Sequence, residues 1–170
     1  MIHLDGVEVP ADRVIGGREG IGAATFNHAM NTERIMLFAA HCGAMQRILE
    51  GAIRHARKRK QYGQPIGKFQ AVAHKIADMK VRLEAARLLV FKAASRLDSA
   101  RDVALDASIA KVFVSESFVQ AAQDALQIRG GYGYMVGEGP ERDLRDALGT
   151  TLYSGTSEIQ RNIVAAWLGL

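Results

Sequence analysis

Apolar residues in this chain recur at steps of three and four over long stretches, the period of helices that bury one face. From about residue 22 to 58 the stripe runs through Phe26, Met30, Ile35, Leu37, Phe38, Met45, Ile48, Leu49 and Ile53. This predicts one long helix, in which Gly43 and Gly51 are tolerated costs. Tyr62–Gly67 breaks the period and reads as a loop. A second helix is expected from about Lys68 to Leu97, with Phe69, Val72, Ile76, Met79, Leu83, Ala86, Val90, Ala93 and Leu97 on its seam. Asp98 or Ser99 can cap a third, from about Arg101 to Ile128, striped by Val103, Ala107, Ala110, Val114, Ala121, Ala125 and Ile128. Gly130–Tyr134 ends it. A short helix is expected over Pro140–Ala147, with Pro140 in its first turn. The last helix starts near Ser157, with Ser157 and Gln160 at capping-box spacing, and ends near Leu168.

Residues 1–19 read differently. Ile2–Pro10 alternates apolar and polar around Gly6, as a short strand or hairpin remnant does, and Gly16, Gly17 and Gly20 mark a loop. The fold class expected is therefore all-α: an up-down four-helix bundle with a short N-terminal β remnant.

Composition supports helices. Of 170 residues 48% are hydrophobic but only 6% aromatic, so the core must be aliphatic and alanine-rich. Cys42 is the single cysteine, which excludes an internal disulfide, and no metal-ligand spacing is present. No charged-then-apolar leader opens the chain and no apolar run reaches membrane-spanning length, so a reducing, cytoplasmic setting is expected, with no membrane partner.

The net charge of +4 is concentrated in Arg54-His55-Ala56-Arg57-Lys58-Arg59-Lys60. Such a run suits nucleic acid, the phosphates of a nucleotide cofactor, or simply a solvated helix end opposing the helix dipole. The glycine run Gly130-Gly131-Tyr132-Gly133 follows a helix rather than a strand. It therefore fails the context of a dinucleotide-binding turn and reads first as a helix stop. The helix start at Ser157 directs free backbone amides outward, a weak anion-site signal by itself.

Five blocks in order carry a far more specific signal. They are Arg59-Lys60-Gln61-Tyr62-Gly63; Phe69-Gln70 with Lys75-Ile76-Ala77-Asp78-Met79; Gln127 to Tyr134; Glu141 to Asp146; and Tyr153-Ser154-Gly155-Thr156-Ser157-Glu158-Ile159-Gln160-Arg161. In this series the chain resembles the acyl-CoA dehydrogenase family. The resemblance implies the end of a middle β-domain over residues 1–19 and the C-terminal helical bundle over 20–170. It also implies that the chain is a fragment or one piece of a split enzyme.

The resemblance implies a reaction as well. A proton leaves the α-carbon of an acyl thioester, and a hydride leaves the β-carbon for FAD. The proton is weakly acidic, so the carbonyl must be polarised and a carboxylate placed beside it. Most of the family carries that carboxylate just before the Gly-Thr-Ser segment, where this chain has Ser154. A minority, resembling isovaleryl-type enzymes, carries it on the first long helix, immediately before an arginine. Here the matching pair is Glu33-Arg34, so Glu33 is the expected base.

Asn31, Arg34, Ser154 and Gly155 are the expected substrate contacts. The Ser154 N–H polarises the carbonyl. Arg34 orients the base or the thioester tail, or forms a structural ion pair with an acid of the bundle. Arg59, Gln61, Tyr62, Gln70, Gln127, Gly130, Gly131, Thr156 and Glu158 are the expected FAD contacts, Arg59 reaching the pyrophosphate of a neighbouring subunit. Tyr62 stands where the family usually has phenylalanine.

Shared sites imply a homo-oligomer, a dimer or tetramer, with an electron-transfer flavoprotein or oxygen as electron acceptor. Gly43–Glu50 and Ala165–Leu170 are similar to dehydrogenases of secondary metabolism, some of which oxidise aminoacyl groups such as prolyl on carrier proteins. The acyl carrier is thus coenzyme A or a carrier protein. The competing reading is a non-catalytic subunit that completes a partner's flavin site. The flavin reading accounts for the basic run without nucleic acid.

Overall fold

The computed structural model describes residues 2–97 and 103–170. Three long helices form the body: α1 (Gly22–Lys58), α2 (Gln70–Ala94) and α3 (Val103–Arg129). They are followed by α4, a single turn (Gly131–Tyr134), then α5 (Pro140–Thr150) and α6 (Ser157–Trp167). Helix α3 is the hub, packing against α1, α2, α5 and α6. All seven apolar positions predicted for its stripe are buried, and so are Ser108, Ser115 and Ser117. Small side chains all round let neighbours approach a helix from every side. The core is aliphatic and alanine-rich, with Phe38, Met45, Met79, Leu83 and Val114 almost wholly enclosed. The bundle is the all-α architecture that the periodicity predicts.

Two differences from the predicted elements have physical causes. Residues 2–10 form no strand, and they are exposed throughout. Alternation makes a strand only where another strand accepts its backbone hydrogen bonds, and no described residue does so. The loop after α1 is in part a hairpin, β1 (Lys60–Gln61) pairing antiparallel with β2 (Gln64–Pro65). Its turn residues Tyr62 and Gly63 have φ of 50° and 79°, the left-handed pair that two-residue hairpins require. Ile66 N–H then bonds Arg59 carbonyl at 2.8 Å, and a 3-10 turn (Ile66–Lys68) leads into α2. Finally, the caps proposed for α3, Asp98 and Ser99, lie outside the described residues.

Helix α1 also extends further than its packing. Its first buried residue is Ile35; Phe26 is 64% exposed, and no residue from 22 to 34 is buried. Period alone places Phe26 on the core face, but no described residue covers it there. The projecting turns carry Asn31, Glu33 and Arg34.

Three buried acids tie the helices together. Asp124 on α3 meets Lys75 and Arg82 of α2 at 3.3 and 3.1 Å. Asp106, also on α3, meets Lys92 of α2 at 2.9 Å and Arg96 at 2.8 Å. Asp143 on α5 takes a two-pronged bond from Arg47 of α1, at 2.7 and 3.1 Å. Each cation reaches in from a part-exposed position, which keeps its charge near water. Such pairs contribute register between helices more than net stability.

Candidate functional site

The turn between α5 and α6 is built around one carbonyl and one unusual backbone angle. Ser154 has φ of 57°, a conformation that costs a non-glycine residue about 1–2 kcal/mol. Three bonds hold it. Arg34 Nε donates to the Ser154 carbonyl at 3.0 Å, and Gln160 Nε2 donates to the same oxygen at 3.3 Å. The Ser154 hydroxyl donates to Glu33 Oε1 at 2.6 Å. Arg34 is itself oriented by Asn31, whose Oδ1 accepts from Nη1 at 3.3 Å. The guanidinium thus serves a carbonyl and an amide rather than an acid of the bundle core. Burial pushes its pKa down, and the adjacent Glu33 pushes it back up.

Gly155 follows with φ of 88°, and a Cβ there would fall 2.6 Å from Gln160 Nε2. Only glycine leaves room for the amide that holds the turn. Thr156, not Ser157, is the N-cap of α6: its hydroxyl accepts from Ile159 N–H at 3.3 Å. The capping box expected from Ser157 and Gln160 is therefore not formed. Ser157 is already inside the helix and its Oγ is buried without a partner, while Gln160 turns back to Ser154 and Gly155. Glu158, in the first turn, is held below the ordinary carboxylate range by its own backbone N–H and by the Thr156 hydroxyl.

Two further groups brace this turn. Lys111 on α3 is wholly buried; its Nζ donates to Thr151 carbonyl at 3.3 Å and lies 5.8 Å from the Phe38 ring centre. Burial pulls its pKa down to about 8, the nearby Glu158 and Glu116 opposing and Arg34 and Arg161 assisting. Thr151 carbonyl also receives Ser157 N–H at 3.0 Å, so both ends of the turn meet at one atom. On the α1 side, Tyr153 Oη and His41 Nε2 share a 2.7 Å hydrogen bond. The imidazole stacks on Phe118 and meets Phe38 edge-on. Burial pushes His41 down and Tyr153 up, which keeps both neutral.

A second constellation lies at the other end of α1. Arg59, Arg129 and His55 line a cleft of about 600 Å³ together with Gly130, Gly131, Tyr132 and Met135. Burial and the charges of Arg129 and Arg59 push the His55 pKa down, which marks the cleft as electropositive. Gly130, with φ of 61°, stops α3 and leaves open main chain facing the cleft. At 1.5 Å rise per residue, Glu33 and Arg59 are about 40 Å apart along the helix.

A domain of the same kind is known. The family model described as "Acyl-CoA dehydrogenase, C-terminal domain" matches residues 20–169. The chain belongs to the acyl-CoA dehydrogenase family. It is similar to an L-prolyl-[peptidyl-carrier protein] dehydrogenase of Pseudomonas fluorescens strain Pf-5. The two are 44% identical over 169 residues, spanning 99% of this chain and 44% of that protein. Among solved structures it resembles the prolyl acyl carrier protein oxidase AnaB, at a TM-score of 0.87 and 49% identity over 91% of this chain and 41% of that one. The FAD complex of PigA matches with a TM-score of 0.87 and 38% identity, over 91% of this chain and 40% of that one. The chain therefore spans less than half the length of these relatives.

In this acyl-CoA dehydrogenase family domain, the residues singled out by sequence fall into two groups and a remainder. Glu33, Asn31, Arg34, Ser154 and Gly155 converge on one turn, with Thr156 and Glu158 directly after it. Arg59, Gly130 and Gly131 share the distant cleft. Gln61 and Tyr62 lie in the hairpin, where Tyr62 is 92% exposed and its ring meets Phe69 edge-on. Gln70 opens α2 and Gln127 lies in the last turn of α3, both exposed and not among the residues lining the cleft. Gln160, Lys111, His41 and Arg129 were not among the predicted contacts. Only Gln160 and Arg129 had a sequence signal, because both lie inside the family blocks. Lys111 and His41 sit in periodic helical stretches that look like ordinary core and face.

Proposed function

We propose that this domain supplies the base and one flank of the cofactor site of an FAD-dependent enzyme that forms an α,β double bond in an acyl thioester. One observation carries the reading. The Glu33 carboxylate, coming from α1, meets the Ser154 hydroxyl at 2.6 Å. It thereby stands beside the turn where most of the family carries its own glutamate. Glu33 takes the α-proton, and the Ser154 main-chain N–H polarises the thioester carbonyl. Arg34 and Gln160, both bonded to the Ser154 carbonyl, hold that peptide in place. FAD, when bound, accepts the β-hydride.

The distant cleft fits the cofactor's phosphates and adenine side. Arg59 and Arg129 furnish positive charge, and Gly130 and Gly131 let a ligand approach the backbone. The distance between cleft and base, about 40 Å along α1, is longer than one extended FAD can span. We therefore infer a homo-oligomer, a dimer or tetramer, in which Arg59 of one protomer holds the FAD that works beside Glu33 of another. Residues 1–19 read as the end of a preceding β-domain, since Ile2, Leu4, Val7 and Val9 are exposed and in need of a partner strand. The names of the relatives favour a prolyl group on a carrier protein as substrate, and the name of the family favours a coenzyme A thioester.

The test uses the complete enzyme. Glu33→Gln is expected to abolish flavin reduction by thioester while FAD stays bound at wild-type occupancy, read from flavin absorbance. Prolyl-carrier protein and acyl-coenzyme A are supplied side by side, with electron-transfer flavoprotein and oxygen as alternative acceptors. Turnover surviving in Glu33→Gln would overturn the base assignment.

A further inference from the structure

A serine hydroxyl is far too weak a base to replace the family's glutamate, so the Ser154 side chain takes no proton from the substrate. The structure nevertheless aims it at the reacting carboxylate. The O–H···O distance of 2.6 Å to Glu33 is in the short range of charge-assisted bonds. Glu33 is exposed and lies on the part of α1 that projects beyond the packed core. Among the described residues that hydroxyl is its one hydrogen-bond partner, whereas a free glutamate would sample many rotamers. The bond engages Oε1 and leaves Oε2 open to accept a proton.

The hydroxyl is in turn held by its own backbone. Ser154 keeps φ at 57° against its intrinsic preference, with Arg34 at 3.0 Å and Gln160 at 3.3 Å on its carbonyl. Gly155 leaves the space that Gln160 needs. Glycine or asparagine would adopt this φ at lower cost, so backbone conformation alone gives no reason for serine.

We propose that Ser154 is a positioning residue: its hydroxyl seats the Glu33 carboxylate toward the α-carbon, while its N–H faces the thioester carbonyl. The proposal rests on Glu33 being the base. One residue then serves both partners of the proton transfer, so the spacing between base and polarised carbonyl is set within a single peptide unit. No covalent step is involved.

Ser154→Gly tests this in the complete FAD-loaded enzyme, because glycine suits the left-handed backbone, keeps the N–H and removes the hydroxymethyl group. The rate of flavin reduction is measured with whichever of prolyl-carrier protein and acyl-coenzyme A reduces the unaltered enzyme faster. That rate is expected to fall about tenfold to a hundredfold, the scale of a misplaced catalytic group. KM and FAD occupancy stay within about threefold, and the isotope effect with α-deuterated substrate rises as proton removal becomes limiting. Ser154→Asn, which tolerates the same φ and restores a donor, recovers part of the rate. Wild-type reduction rate in Ser154→Gly, beside an inactive Glu33→Gln, would sink the positioning role and leave the base assignment standing. Activity in Glu33→Gln would sink the base assignment itself.

Discussion

At the residue scale the clearest physical signature is Lys111. An ammonium with no exposed surface and one hydrogen bond to a carbonyl is an expensive feature of a core. Its pKa falls from 10.5 to about 8. Between those values the unfolded chain binds more protons than the folded one, so the Lys111 contribution makes stability rise with pH over that window. The cost of the buried charge is fully present below about pH 8 and is relieved towards 10.5. Denaturant midpoints taken at pH 7.5 and pH 10 are expected to show this rise as a component that Lys111→Met lacks. The same lysine pins Thr151, so the variant also loosens the turn that carries Ser154.

At the element scale, the start of α6 shows how one hydroxyl sets a helix boundary. Spacing suggested Ser157 and Gln160 as a reciprocal cap. The chain instead places the N-cap one residue earlier, on Thr156, so that the helix starts at Ser157, and uses Gln160 to fasten the turn behind it. Thr156→Ala is expected to destabilise the protein by about 1 kcal/mol, the usual value of an N-cap. It also removes a hydrogen bond from Glu158 and should raise that carboxyl's pKa toward its ordinary value. Chemical unfolding checks the first effect, and NMR titration of the Glu158 side chain the second. Ser157→Ala, by contrast, deletes a hydroxyl with no partner and is expected to be nearly neutral.

At the scale of the whole molecule, the length of α1 is the governing fact. A helix of 37 residues, about 55 Å long, separates Glu33 from the electropositive cleft by about 40 Å. On the proposed reading a single protomer therefore presents two half-sites rather than one site. Glu33→Gln and Arg59→Ala enzymes, each expected to be inactive, should regain turnover when co-assembled from mixed subunits. One protomer then contributes an intact base and another an intact cleft. Failure of every mixture to exceed its parents would mean that the two ends serve no common cofactor.

The sequence by itself determined the helices and most of their burial. A period of three and four is a property of local geometry, so the stripe of α3 was legible residue by residue, and the bounds of α1 followed from its flanking breaks. The family blocks likewise singled out residues that the fold gathers at the Ser154 turn and at the Arg59 cleft, since short-range spacing survives in the linear chain. Other features depended on neighbours. Phe26 has the right period and no partner to bury it. Ile2–Pro10 has the alternation of a strand and nothing described to pair with. Gln160 and Lys111 acquired their roles only when α3, α5 and α6 converged on the Thr151–Ser157 turn. The contact of Glu33 with Ser154 joins residues far apart in sequence, and only packing of α1 beside that turn brings them together. The candidate residues could be named from the chain; which oxygen faces which donor was decided by tertiary structure, because hydrogen bonds depend on distance and direction rather than on order.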